Sequence, residues 1–170
     1  RMVAVDVADI YGPLREFLTF KSKISARYTL VILDKAEPTR TTALRAYAME
    51  LYAYWAENID AENEILIVFA QSTGDLWMVP GQLWTQMGFE GSEISAVVRS
   101  SAFPEGVATT EYAKALSDLV LSVDVRLAEL KLEKLSEEQI FGAELERAWS
   151  RLSRMKDAVV RHKPDSGVHS

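Results

Sequence analysis

Four acidic residues around one apolar segment have the types and spacing to do chemistry. Asp60 and Glu62 come just before the segment Glu64–Ala70, and Glu90 and Glu93 follow the Pro-Gly loop beyond it. Carboxylate oxygens are the ligands that Ca²⁺ and Mg²⁺ prefer in proteins. If the later loop folds back, the four side chains would form a divalent-metal site. Otherwise they are solvated loop residues, which is the commoner state of such acids.

Composition excludes several other kinds of catalytic site. Cysteine is absent, which excludes disulfides, thiol catalysis and Cys-ligated metals. The two histidines, His162 and His169, both lie near the C-terminus, so we expect no histidine base inside the fold. Ser72 and Thr73 would need such a base to act as nucleophiles. The STGD stretch that contains them is therefore better interpreted as a turn.

The charge balance argues against nucleic acid as a partner. The chain has 170 residues, a net charge of −6 and a pI near 5.0. An acidic body repels phosphate backbones, and we expect no stripe of Lys and Arg to offset this. The longest apolar run, Ile65–Ala70, is too short to span a bilayer. The start at Arg1-Met2 is interpreted either as an expression scar or as a cut from a longer precursor with a targeting segment.

Two apolar segments and the stretch between them predict the elements that carry the acidic loop. Arg27–Asp34 and Glu64–Ala70 are apolar without alternation, which is typical of strands buried on both faces. Between them, Thr42–Glu57 has apolar residues at helical spacing. A strand, a helix and a strand in this order predict parallel strands joined by a right-handed crossover.

Turn and helix signals predict the rest of the chain. The STGD turn joins the second strand to an antiparallel third strand at Leu76–Pro80. Gly12-Pro13 predicts the start of a first helix, and AFPEG predicts a break between two later helices. These two are a short helix over Glu93–Ala102 and a long helix from about Thr110. The capping-box pattern SEEQ, beginning at Ser136, predicts the start of a last helix.

The last helix continues beyond the point, near residue 125, at which the core could close. Its apolar stripe includes Phe141, Trp149 and Met155. Because the predicted turn at Lys134–Ser136 is short, we expect this helix to fold back on the domain or to form a hairpin with the preceding helix. Docking onto another chain is a compatible alternative. The predicted division is a domain over 1–130, a C-terminal helix over 131–163 and a disordered tail over 164–170.

The aromatic residues divide into core candidates and surface candidates. Tyr52 and Trp55 fall on the apolar face of their helix, so we expect both to pack in the core. Tyr47, Tyr54 and Trp84 fall outside the apolar stripes. Exposed aromatic side chains are typical anchors of protein interfaces, so these three are the predicted partner surface.

The order and spacing of four stretches resemble the TPM-domain family over about residues 3 to 125. The stretches are LRAYAMELYAYW from Leu44, NEILIVFA from Asn63, MVPGQL from Met78 and AFPEG from Ala102. The family includes thylakoid-lumen proteins of photosystem II repair and bacterial envelope proteins. The resemblance implies an α/β fold, a three-layer α/β/α sandwich around a small mixed β-sheet, here with a C-terminal helical extension.

The resemblance also implies divalent-metal binding and, for some relatives, phosphatase activity. Asp60 and Glu62 match the acidic loop of the family, and Glu90 or Glu93 substitutes for a later acid, but Glu64 stands where Gly is usual. The acidic set is therefore only partly present. No catalytic residue is assigned, and the cofactors considered are calcium or magnesium at these four acids.

The sequence thus predicts a non-enzymatic, TPM-like interaction module that assists assembly, repair or modulation of a membrane-protein complex. The alternative is a divalent-metal-dependent acid phosphatase with a degenerate acidic site. The resemblance further implies an extracytoplasmic or membrane-anchored location, in a periplasm, in a lumen or at a cell surface. Membrane contact would need a segment outside this chain, and the expected partner is a protein rather than a nucleic acid.

Overall fold

The computed structural model describes residues 2–5, 21–33, 41–58, 61–137 and 142–162. The predicted helix start at Gly12-Pro13, Asp60, the residues between the first predicted strand and the predicted helix, and the tail after 163 lie outside these ranges. The chain divides into two compact units, Arg1–Ile94 and Ser95–Ser170, here called the N-terminal and C-terminal units. This division lies before the predicted boundary at residue 130. Within the described ranges, no helix has both the length and the apolarity needed to cross a membrane.

A small mixed sheet is the centre of the N-terminal unit. Its strands are β1 (Met2–Val5), β2 (Arg27–Leu33), β3 (Glu64–Ala70) and β4 (Asp75–Pro80). They lie in the order β1-β2-β3-β4, with β1, β2 and β3 parallel and β4 antiparallel to β3. The predicted α/β class, the parallel β2–β3 pair and the β3–β4 hairpin are confirmed. β1 was not predicted.

Both faces of β3 are buried, as its unbroken apolar pattern predicted. On one face, Leu66 and Val68 pack with Val31 of β2 in a single core cluster. On the other face, Ile65 and Ile67 are fully buried as well. A polar side chain on such a strand must find its hydrogen-bond partners inside the protein, because water does not reach it.

The helix α1, Thr41–Asn58, connects β2 to β3 and is close to the predicted Thr42–Glu57. The residues of its inner face pack against the sheet: Leu44, Ala48, Leu51, Tyr52 and Trp55. The core positions predicted for the last two are confirmed. One edge of α1 is also held by a cation–π contact, since the Arg45 guanidinium carbon lies 5.5 Å from the centroid of the Trp77 ring on β4.

Three shorter helices follow β4: α2 (Gln82–Thr85), α3 (Ser92–Ser100) and α4 (Phe103–Ala108). α3 lies within two residues of its prediction, and α2 was not predicted. The predicted break at AFPEG is confirmed, since α3 ends at Ser100, but the segment is itself partly helical: Pro104 lies in the first turn of α4, where its missing N–H removes no helical bond. The buried carboxylate of Asp118 accepts the Ala102 N–H at 2.7 Å and satisfies the start of this helix.

Two long helices complete the C-terminal unit: α5 (Tyr112–Glu137) and α6 (Ala143–His162). The predicted helix start at Ser136 is wrong, and so is the turn predicted beside it. Leu132 is buried and Leu135 is half-buried, so the apolar stripe of α5 continues into the capping-box sequence and the helix does not end there.

α5 and α6 form an antiparallel pair. α5 has 26 residues and is therefore about 39 Å long. The residues between the two helices can span at most about 18 Å. This is too short to lead back to the start of α5, so α6, which packs against α5, runs antiparallel to it. Leu152 and Met155 of α6 are buried, and Lys156 Nζ lies 3.5 Å from Glu129 Oε1 of α5. Arg126 adds a 2.8 Å bond to Glu129, which extends the ion pairs along α5.

Candidate functional site

The described members of the predicted metal set are Glu62 in the loop before β3, Glu90 in the loop before α3, and Glu93 in the first turn of α3. Glu62 and Glu90 are exposed, and Glu93 is half-buried at the start of α3. Among the residues that the structure describes, no group of three or more His, Cys, Asp or Glu side chains is positioned to hold a metal ion. Asp60 lies outside those residues, so a metal site that includes it stays a prediction.

The backbone of the acidic loop, Ala61–Asn63, is held by hydrogen bonds from two neighbouring elements. The Ala61 carbonyl oxygen accepts the Glu64 N–H at 3.1 Å and the Tyr52 hydroxyl of α1 at 3.0 Å. The Glu62 carbonyl oxygen accepts the Leu83 N–H of α2 at 3.0 Å. The loop therefore has a fixed backbone, although the Glu62 side chain is exposed.

Asn63 connects the loop to β2 and to α2. Its carbonyl oxygen accepts the Arg27 N–H at 3.0 Å and the indole N–H of Trp84 at 2.9 Å. Its side-chain amide donates to the Ser25 carbonyl oxygen at 2.9 Å. The Asn side chain thus acts as a structural link between two loops, and its backbone carbonyl binds the buried tryptophan.

Gly81 allows the end of β4 to approach the loop closely. Its N–H donates to the Glu64 carbonyl oxygen at 2.7 Å. A Cβ at this position would lie 2.5 Å from the Ala61 carbonyl oxygen and even closer to that of Glu62, distances that real Cβ atoms do not adopt. The Pro-Gly pair was noted in the sequence as a loop, and the structure shows why a side chain is excluded there.

Glu64 is the buried carboxylate of this region, and sequence reasoning did not include it among the site residues. It is 2% exposed, accepts a hydrogen bond from the Thr29 hydroxyl, and its Oε2 lies 3.8 Å from Arg27 Nε. Both partners are on β2, and Arg27 is directly opposite Glu64 in the parallel register. The signal available in the sequence was an acidic residue at the start of a buried strand, with a basic residue at the start of the neighbouring strand. Its partners make it a structural carboxylate.

The Tyr52 hydroxyl lies beside these acids. Burial, together with the negative charges of Glu64 and Glu62, raises the pKa of Tyr52 above its usual value. The phenol therefore stays protonated at neutral pH and donates to the Ala61 carbonyl oxygen. This arrangement fixes the acidic loop on α1 and does not prepare a base or a nucleophile.

The three aromatic residues predicted to face a partner have different environments. Trp84 is 1% exposed, so the expectation that it lies outside the core is wrong. Its indole N–H donates to the Asn63 carbonyl oxygen. Tyr47 is half-buried and packs against the core cluster. Tyr54 is 65% exposed on α1. Of the three, Tyr54 has the exposure that an interface anchor needs.

α1 also has an exposed apolar face, which we call the outer face. This face consists of Ala46, Met49, Ala53 and Ala56, all exposed, and Met49 is 48% exposed. These residues repeat at intervals of three, four and three, the spacing with which one helix packs along another. Exposed Glu50 and Glu57, seven residues apart, lie along one margin of the face.

Comparisons with known proteins give no assignment. No family model matches the chain, and no curated protein matches it. The resemblance to TPM-domain proteins therefore stays a prediction from the sequence stretches quoted above, and the function must be argued from the surfaces and contacts of the chain itself.

Proposed function

We propose that this protein is a non-enzymatic interaction module that binds a helical segment of a protein partner on the outer face of α1. In the TPM-like interpretation, this binding assists assembly, repair or modulation of a membrane-protein complex, outside the cytoplasm or at a membrane. The observation that carries the proposal is the exposure of Met49 on a face that otherwise consists of alanine.

The composition of α1 is unusual for a helix with one exposed side. Helices on the surface of a globular protein normally have charged residues opposite the core, and a helix that is apolar all round is normally buried. The exposed positions of α6 follow the first rule, with Glu144, Glu146 and Arg147 in its first turns. α1 departs from this pattern, because among its described side chains five exposed positions are apolar or aromatic (Ala46, Met49, Ala53, Tyr54 and Ala56) and three are charged (Arg45, Glu50 and Glu57). A partner that covers the outer face would remove the discrepancy.

The shape and charge of the outer face indicate the kind of partner. Alanines at Ala46, Ala53 and Ala56 allow a second helix to approach closely, and Met49 adapts its shape to what it contacts. Glu50 and Glu57 along the margin would pair with Lys or Arg. The proposed partner is therefore a helix with an apolar stripe and a basic flank.

The contacts of the acidic loop support a structural role for this region over a catalytic one. Glu64 is engaged by Thr29 and Arg27, and the loop backbone is held by α1 and α2. No contact among the described residues favours the metal-dependent phosphatase over the interaction module. The three-layer sandwich belongs to this proposal, and the burial of both faces of β3 is consistent with a sheet between two layers.

A binding assay with a designed peptide tests the proposal. The probe is a helical peptide of about 20 residues, long enough to be helical in isolation, with a leucine and alanine stripe flanked by lysines. We expect binding by the native chain and a loss of about tenfold or more for Ala53→Glu, because the contact would have to desolvate the new carboxylate. Fluorescence anisotropy of the labelled peptide gives the dissociation constant.

The matched control is Ala143→Glu, which adds the same charge at an exposed alanine of α6. It should bind the peptide like the native chain, and both variants should melt within a few degrees of it, since exposed positions tolerate substitution. Equal losses in the two variants, or no binding by the native chain, would contradict the proposal. Self-association that Ala53→Glu abolishes would assign the face to a second copy instead.

A further inference from the structure

A second surface, on α6 in the C-terminal unit, combines three arginines with a local excess of positive charge. The apolar side of α6 is already used, because Leu152 and Met155 are buried in the pair with α5. Among the described residues, most of the other exposed side chains of this helix are polar, and the large apolar exception is Trp149, which is 56% exposed. Charge is therefore the main means by which the polar side of α6 could bind a partner.

Arg147, Arg151 and Arg154 lie in one row on α6. Their spacing of four and three residues places them on adjacent turns of the same helix face. Arg147 and Arg154 are exposed and Arg151 is half-buried. In the ranges that the structure describes, none of the three forms an ion pair, whereas Lys156 on another side of α6 pairs with Glu129. We call this row the arginine row.

The arginine row is a local basic stripe, which the charge balance of the whole chain did not predict. The arginines are separated in the sequence by Trp149, Ser150 and other residues, so that only the helical period brings them together. The segment 147–163 contains six Lys and Arg residues and a single acidic residue, whereas the whole chain has a net charge of −6. Positive charge is thus in excess from Arg147 onward, after Glu144 and Glu146 in the first turn of α6.

We infer that the arginine row binds an acidic helical segment of a protein partner, with carboxylates spaced like the arginines. Guanidinium groups match carboxylates in a two-bonded geometry, and an acidic helix can place Glu residues four and three apart along the row. This surface is separate from the outer face of α1, so the inference does not depend on the function proposed above.

Two other anionic partners fit less well. A helix that binds a membrane surface inserts its apolar side, and that side of α6 is occupied by α5. A nucleic acid presents phosphates over a wide surface, where the net charge of −6 would repel it. A narrow basic row within an acidic protein favours a narrow acidic partner.

The test uses the full chain and a labelled helical peptide of about 20 residues that carries Glu at intervals of four and three. The triple variant R147Q/R151Q/R154Q should lose about tenfold in affinity, since each exposed Arg–carboxylate pair contributes a few-fold. The control K114Q/K131Q/K134Q removes three positive charges from α5 of the same unit. It should lose less than about threefold, because only long-range attraction changes.

Parallel measurements separate the possible partners. A peptide with Gln at the same positions should not bind, and neither should vesicles of phosphatidylserine and phosphatidylcholine or a DNA duplex. Circular dichroism should give native helix content for both variants, because glutamine preserves helix propensity. Equal losses in the two triple variants, or no binding of the Glu peptide, would overturn the inference. Tighter arginine-dependent binding to vesicles or duplex than to peptide would overturn it as well.

Discussion

At the scale of single residues, the buried acid Glu64 has a structural explanation. Glu64 begins a strand that is buried on both faces, and two side chains of β2 supply a hydroxyl donor and a guanidinium. A buried carboxylate without partners would be strongly destabilising, so Thr29 and Arg27 are what allows an acid at this position.

Two substitutions of Glu64 should therefore differ in their effect on stability. Glu64→Gln keeps an oxygen that can accept from Thr29 and loses only the pairing with the partly exposed Arg27, which should cost about 1 kcal/mol or less. Glu64→Ala leaves the buried Thr29 hydroxyl without an acceptor and opens a cavity, which should cost about 2–4 kcal/mol. Urea unfolding followed by circular dichroism measures both. Equal costs would show that the Thr29 contact contributes nothing.

Tyr52 gives a prediction about alkaline pH. Its pKa is raised in the folded protein from the ordinary 10.0, first by burial and then by Glu64 and Glu62. Above pH 10 the unfolded chain loses this proton before the folded protein does, so the contribution of Tyr52 to stability falls as pH rises through that range. The free energy of unfolding of the native chain should exceed that of Tyr52→Phe by a constant margin near neutral pH, and the margin should shrink as the pH rises above the ordinary pKa of 10.0.

The same comparison tests the assignment of the hydrogen bond. Near neutral pH, Tyr52→Phe should cost about 0.5–1.5 kcal/mol, because the Ala61 carbonyl oxygen loses one of its donors. A margin that stays constant to about pH 11 would contradict the raised pKa, and no margin at neutral pH would contradict the bond.

At the scale of elements, segments with a clear apolar pattern or turn signal were predictable, whereas the shortest elements, β1 and α2, were not. β3 was predicted residue for residue, and α1 within one residue at each end, because continuous or helical apolar patterns are strong signals. β1 has four residues and is stabilised by its pairing with β2, which no local pattern reveals. Local signals also failed at Ser136, where the tertiary stripe of α5 overrides a capping box.

The candidate surfaces were less predictable than the fold for a related reason. Exposure depends on what packs against a residue, and Trp84, with its indole N–H bonded to Asn63, could not be distinguished from exposed Tyr54 by sequence position. The arginine row needed the helix bounds of α6 to become visible. Surfaces follow from the arrangement of elements, whereas elements follow mostly from local pattern.

The pair of α5 and α6 should be sensitive to changes on one side of α6 alone. Leu152→Ala removes a buried side chain from this pair and should cost about 2–4 kcal/mol. Trp149→Ala, three residues earlier, removes a larger side chain that is 56% exposed and should cost less than about 1 kcal/mol. Chemical denaturation of the two variants measures the difference. A larger cost for the Trp149 variant would mean that α6 uses its other side for packing.

At the scale of the whole molecule, acidic residues are numerous but those described near the sheet are dispersed. The chain has 25 Asp and Glu residues against 19 Lys and Arg residues. Glu62 and Glu90 lie in two different loops and Glu93 lies in the first turn of α3. Glu64, the buried acid among the described residues of the N-terminal unit, is engaged by β2. An acidic surface of this kind attracts divalent cations through general screening, which differs from binding at a site.

Calcium should therefore leave the melting temperature of the full chain nearly unchanged. A measurement on the whole chain includes Asp60, which the structure does not describe. Specific binding to the folded state at a hundredfold excess over the dissociation constant would add about 2.7 kcal/mol. For a chain of this size each kcal/mol raises the melting temperature by about 2–4 °C, so a real site would appear as a rise of roughly 5–10 °C.

We expect a rise of less than about 2 °C in millimolar calcium chloride, equal to the change in sodium chloride of the same ionic strength. A rise of several degrees with calcium alone, lost on Asp60→Asn and Glu62→Gln, would instead establish the metal site that the acidic loop first suggested.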